Sequence, residues 1–399
     1  MNNIKSYIII PVAAIVCVVT FAFTVFSDTS AVQSFTTFRT AVSVYARCAF
    51  FDSAHKPSCY NTQITALYPS QSVAKIFDVV SALQTWDTSL LNCHEVAHHV
   101  GKKVVRSSPE EWEVVMRDSL LYAQCANGYV HGIASGLYEA TPITMEDVHS
   151  ALPKFARLCA EGGSMQRRAC LHGVGHMLFA ATHGHMSSAF DLCVQLAGPT
   201  PSEDAVQACY GGVAMSMFMP LIPENTDLHN VETVTKDSLR EFCSTLSSTS
   251  EIGVCLRSGW SLFGDDLYEP GFVDTFCSTQ PNGTESDLCY RKIFHGIGWE
   301  NLATPEKVTA FCHSVRKEKR QECFMIAAEE AITQRGGHRG VASAIALCRT
   351  ADENMGNRCV TAVAERAGYY VPKGSLERRL YCAEVPRDLL DDCVNSIDQ

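Results

Sequence analysis

The chain has no Cys-x-x-Cys pair, which removes zinc ribbons and zinc fingers from consideration. It has no Walker A loop, no G-x-G-x-x-G and no G-x-S-x-G, so the common phosphate cradles and the hydrolase nucleophile elbow are missing. Alternating Val/Ile/Thr runs bounded by hairpin dipeptides are lacking, so strands are not expected. Basic charge is in deficit: 32 Lys+Arg stand against 43 Asp+Glu, a formal net charge of −11, which argues against nucleic acid as a partner. With Gly at 25 and Pro at 15, collagen and low-complexity chains are excluded, and 46% hydrophobic residues exclude disorder.

What the chain does have is 19 cysteines in 399 residues. Residues 7–26, YIIIPVAAIVCVVTFAFTVF, carry no charge. At about 1.5 Å rise per residue they span roughly 30 Å, one bilayer core. Lys5 precedes the run and Asp28 follows it. The positive-inside rule therefore leaves residues 1–6 in the cytoplasm and everything after Asp28 outside, behind a single-pass signal anchor. A cleaved signal peptide is the alternative.

Setting Cys17 aside leaves 18 cysteines in an exported, oxidising setting, enough for nine bridges. Cys48/Cys59, Cys159/Cys170, Cys312/Cys323, Cys348/Cys359 and Cys382/Cys393 are each 11 residues apart. Cys243/Cys255 and Cys277/Cys289 are 12 apart, and Cys193/Cys209 are 16 apart. Cys93 and Cys125, left without near neighbours, pair with each other on this reading.

The second cysteines recur: Cys255, Cys289, Cys323, Cys359 and Cys393 follow at 34, 34, 36 and 34 residues. Such a period marks helical-hairpin repeats, an α-solenoid or an α/α toroid. Each first cysteine closes an apolar stretch such as FARLC at 155–159, and each second opens one such as CLHGVGHMLFAA at 170–181. The expected fold is therefore all-α: about eight disulfide-stapled hairpins over residues 86–399, a helical cap over 27–85 with its own Cys48/Cys59 staple, and the N-terminal transmembrane helix. In layout these repeats resemble the Sel1-like cysteine-rich proteins. The run RKEKR at 316–320 reads as a solvated loop, and Asn282-Gly283-Thr284 is a glycosylation sequon in a turn.

Counting six residues on from Cys93, Cys125 and the later second cysteines gives His99, His131, His176, Met215, Ser261, His295, Glu329 and Glu365. Two residues on stand Glu95, Asn127, His172, Gly211, Arg257, Arg291, Met325 and Thr361. Positions i and i+4 share a helical face, so imidazoles and carboxylates line one stripe. Glycines cluster beside them (Gly128, Gly132, Gly173, Gly175, Gly211, Gly212), which points to close helix or ligand approach.

The stripe points to a divalent metal, Zn, Fe, Mn or Cu, held by His99, His131, His172, His176 and His295, with Glu95 as a ligand or as general base in hydrolytic or oxidative chemistry. Two plainer readings stand beside it: histidines bonding to neighbouring backbones, and a metal-free pocket for a polar or anionic ligand to which Arg257 and Arg291 contribute. A non-catalytic scaffold holding a peptide or protein partner on its concave face is the rival function. HEVAH at 94–98 also matches the zinc-protease motif H-E-x-x-H, in which His94 and His98 would bind instead of His99. The segments GYVHGIASG at 128–136 and CLHGVGH at 170–176 look like the Gly-His-Gly inner helices of the lanthionine synthetase cyclases, α/α toroids with a zinc site. That likeness implies a ring rather than an open spiral. Their cysteine ligands do not carry over, because Leu171 separates Cys170 from His172 and the disulfides account for Cys170 and Cys209.

Overall fold

The structure is a computed structural model. It describes residues 29–370 apart from 54, 91–92, 120–124, 126–127, 141–144, 162, 199–201, 219–233, 302–303 and 336, and beyond 370 only 382, 383 and 387. The expected span at 7–26 and the Cys382/Cys393 bridge fall outside these residues. Among the described residues no helix is long and apolar enough to cross a membrane, and there is no strand.

Two compact units divide the chain, with the boundary between Leu90 and Leu91. In the first, α1 (Thr29–Cys48), α2 (Lys56–Thr65) and α3 (Val73–Leu83) pack together, and Cys48–Cys59 ties α1 to α2. Asp87 anchors this unit by accepting hydrogen bonds from Tyr60 Oη at 2.8 Å and Lys56 Nζ at 3.1 Å. Burial works to raise the Asp87 carboxyl, but bonds from Ser89, Tyr60 and Lys56 outweigh it and hold the group at about 2.

The second unit holds fifteen described α-helices: α4 (His94–Ser107), α5 (Trp112–Ser119), α6 (Gly128–Ala140), α7 (Met145–Ala160), α8 (Ser164–Ala181), α9 (Met186–Ala197), α10 (Glu203–Phe218), α11 (Leu239–Ser244), α12 (Thr249–Ser258), α13 (Phe272–Ser278), α14 (Gly283–Glu300), α15 (Pro305–Ser314), α16 (Lys317–Arg335), α17 (Gly337–Cys348) and α18 (Glu353–Tyr370). Helix starts follow local chemistry. Ser248 and Asn282 cap α12 and α14 by accepting from the backbone N–H of Glu251 and Glu285, three residues on. The basic run at 316–320 is not a loop: from Lys317 on it is the first turn of α16.

Each even-numbered helix from α4 to α16 packs on the next even-numbered one, and each odd helix from α5 to α17 packs on the even helix that follows it. Six bridges enforce the second pattern. Cys159, Cys193, Cys243, Cys277, Cys312 and Cys348 lie in the last turn or two of odd helices. Their partners Cys170, Cys209, Cys255, Cys289, Cys323 and Cys359 are each the seventh residue of the following helix. Cys93–Cys125 differs: it joins the entry of α4 to the segment just before α6, tying two even helices together. Eight disulfides between described residues suit an oxidising, extracellular setting.

Glycine sets the spacing of the even helices. Gly128, Gly132 and Gly136 climb one face of α6 at i, i+4 spacing, and a Cβ on Gly128 or Gly132 would collide with the backbone carbonyl of His94 or His98 in α4. Gly175 in α8 and Gly212 in α10 meet the carbonyls of Cys209 and His172 in the same way. The backbones thus come close enough for imidazoles on adjacent helices to touch. Because the obstacle at Gly132 is backbone, it cannot swing aside. Gly132→Ala is expected to destabilise the domain by about 1–3 kcal/mol in denaturant titration, and an unshifted midpoint would show slack between α4 and α6.

Candidate metal centre

Three neighbouring even helices converge on one group of histidines. α8 supplies His172 and His176, one turn apart; α6 supplies His131; α4 supplies His94 and His98, again one turn apart. The His131 ring centroid lies 4.8 Å from that of His172, 5.0 Å from His176 and 4.9 Å from His94. His172 and His176 are 4.9 Å apart. One nitrogen each from His131, His172 and His176 falls within 4.8 Å of the others. A tetrahedral ion with N ligands at about 2.0–2.1 Å holds them about 3.3 Å apart, a gap that small ring rotations close.

The hydrogen bonds decide which nitrogens are available. The Cys125 carbonyl lies 3.1 Å from His94 Nδ1 and can only accept, so that nitrogen carries the proton. His94 Nε2 is then the acceptor for His131 Nδ1–H at 3.2 Å. The proton of neutral His131 therefore sits on Nδ1, and its Nε2 keeps a free lone pair. His176 Nδ1 meets Ser216 Oγ at 2.6 Å, and His176 Nε2 is buried without any hydrogen-bond partner. His172 donates to the backbone carbonyl of Ala208. Each triad member thus has its second nitrogen engaged, the arrangement that orients imidazole for a metal. A buried polar nitrogen left bare, as His176 Nε2 is, costs about 1–3 kcal/mol unless something fills the gap.

His98 stands beside the triad. Ser135 Oγ donates to the His131 carbonyl at 2.5 Å and accepts from His98 Nε2 at 3.2 Å, which leaves His98 Nδ1 buried and unpartnered. Burial first, then the neighbouring imidazoles, push His131, His172 and His98 well below the ordinary histidine value, with Lys292 adding to His172 and Lys102 to His98. Burial, with repulsion from His94 and Lys292, pushes His176 down to about 3. All four are neutral at pH 7, the form that binds metals.

These four shifts make the metal-free protein acid-labile. Below pH about 6.5 the unfolded chain takes up protons that the folded chain refuses, so stability falls with pH. The slope is up to about 1.4 kcal/mol per pH unit for each imidazole. The window runs from about 6.5 downward, reaching about 3 for His176. Denaturant midpoints between pH 7 and pH 4 measure it; stability that stays flat there would mean the imidazoles are solvated.

Several sequence-derived positions stand elsewhere. His99 is not in the cluster: it lies on a half-exposed face of α4, 3.8 Å from the exposed Glu95. The count from Cys93 overshoots by one residue, giving His99 where the inward position is His98. The inward pair is His94/His98. H-E-x-x-H chemistry is not assembled either. Both ring nitrogens of His94 are engaged, the His94 and His98 centroids are 6.4 Å apart, and Glu95 faces outward. His295 meets Glu330 Oε1 at 2.7 Å through Nδ1 rather than joining the triad. Arg257 is buried in an ion pair with Glu285 and a bond to Gln207. Arg291 is exposed and pairs with Glu322 at 2.7 Å. Glu329 is half-buried on α16. Asn127 and the side chain of Glu365 lie outside the described residues.

Sequence reasoning missed Ser135, Ser216, Trp299 (its ring 5.1 Å from His94) and Lys292. For His94 a signal was present: the H-x-x-x-H spacing of 94/98 repeats that of 172/176. The described site offers three neutral nitrogens, no sulfur and no carboxylate. It is a set that can hold a metal ion and leave a coordination position open. No protein-family model, no curated protein and no solved structure matches this chain.

Proposed function

We propose that the chain is a membrane-anchored, extracytoplasmic helical-repeat protein that holds a divalent transition metal on His131, His172 and His176. The observation that carries this is the bare, buried Nε2 of His176, on one of three imidazoles that each bring a nitrogen within 4.8 Å of the others, the other two rings being held from behind. Three imidazoles without carboxylate or sulfur favour zinc, then copper or iron, and put manganese last. Three protein ligands with an open position are the pattern of catalytic rather than structural zinc. An ion so placed supplies Lewis acidity and water activation, which favours hydrolytic chemistry.

Two contacts favour a closed ring of repeats. His94 of α4 touches Trp299 of α14, and Cys93 Sγ lies 3.3 Å from the Gln334 carbonyl of α16. The start of the row of even helices thus meets its later members, so the triad faces an enclosed interior. The apolar run at 7–26 supports the anchor.

Calorimetric titration of zinc into the chelator-stripped full chain tests this. One site per chain is expected, and Ser216→Ala, which removes the support behind His176, weakens it about 10- to 100-fold. No zinc uptake by the folded protein would shift the balance to a non-catalytic scaffold that holds a peptide or protein partner on its inner face.

A further inference from the structure

Three neutral imidazoles leave the charge of a divalent ion uncompensated, and no carboxylate among the described residues bonds to the triad. The nearest charge compounds this. α14 carries Lys292, His295 and Trp299 at i, i+3 and i+7, one helical face. Trp299 packs on His94, and the Lys292 ammonium acts electrostatically on both His172 and His176. So this face of α14 looks onto the triad. Among the described residues Lys292 Nζ has no hydrogen bond and no salt bridge. The carboxylate nearest to balancing it, Glu330, has Oε1 on His295 Nδ1 at 2.7 Å and Oε2 on Thr333 Oγ1 at 3.1 Å. Burial and Arg257 draw Lys292 down to about 8, against the pull of Glu330, which leaves it mostly charged at pH 7. His172 and Lys292 are only half-buried, so neither side chain is sealed from solvent. A divalent ion and a half-buried, unpaired ammonium facing one gap repel each other, and an anion held between them relieves the repulsion while keeping the lysine charged.

We infer that the ligand of this site is a small oxyanion, a carboxylate or a phosphate group, taken between the ion on His131, His172 and His176 and the ammonium of Lys292. This rests on the metal reading above. His295, turned by its bond to Glu330, flanks the same face and offers a second polar contact.

The test uses the full chain in mild detergent, loaded with cobalt(II), whose visible absorption reports its coordination. Acetate and inorganic phosphate are titrated separately at pH 7. Both, or one, should shift the spectrum at saturation. Lys292→Gln should weaken that binding about tenfold or more while one cobalt stays bound, and Lys292→Arg should restore most of it. Tighter binding of acetate assigns a carboxylate ligand; tighter binding of phosphate assigns a phosphate. Equal anion affinity in wild type and Lys292→Gln, or a spectrum that neither anion moves, overturns the inference and leaves the metal site standing. Absence of cobalt uptake by the wild-type chain removes both.

Discussion

Replacing His131 with alanine is expected to lower metal affinity by well over a hundredfold while the helical fold persists. Loss of an outer partner behind a ligand already costs about 10–100-fold, and His131 is the ligand itself. It is also the hinge of the cluster, with its ring in contact with those of His94, His172 and His176. The same change takes one proton-refusing imidazole out of the core, so the acid limb of the metal-free protein should become shallower. Chelator competition reads the affinity, and circular dichroism the fold. A His131→Ala protein that keeps its metal at wild-type affinity would place the ion elsewhere.

Reducing the disulfides is expected to unfold the second unit outright. Six bridges close loops of 11 to 16 residues between successive helices, and each such loop is worth about 3 kcal/mol in the chain-entropy model. Together they exceed the roughly 5–15 kcal/mol net stability of an ordinary domain. Opening one bridge alone, with Cys159→Ser and Cys170→Ser combined, should cost about 2–5 kcal/mol. Far-ultraviolet dichroism under reductant reads the first effect and denaturant titration the second. A helical signal that survives full reduction would mean packing alone carries the fold.

The cystine framework was legible because spacings of 11, 12 or 16 residues suit the end of one helix, a short turn and the first two turns of the next. Helices were legible from the apolar stretches at each cysteine. The inward histidines were legible on α6 and α8 but not on α4. A count from cysteine assumes a common helical phase, which α6 and α8 keep, with His131 and His176 each six residues on, whereas the inward histidine of α4 is His98, five residues after Cys93. The glycines announced close approach without saying of what; it proved to be backbone on backbone. Ser216, Trp299 and Lys292 reach the site from helices distant in sequence, through contacts that no local pattern encodes.

X-ray absorption at the zinc edge, on the full chain after dialysis against zinc, tests the central claim most directly. One zinc per chain in a shell of three imidazole nitrogens at about 2.0–2.1 Å plus one oxygen ligand is the expected result, abolished in His176→Ala. Zinc held by sulfur or mainly by carboxylates, or a folded chain holding none, would contradict it.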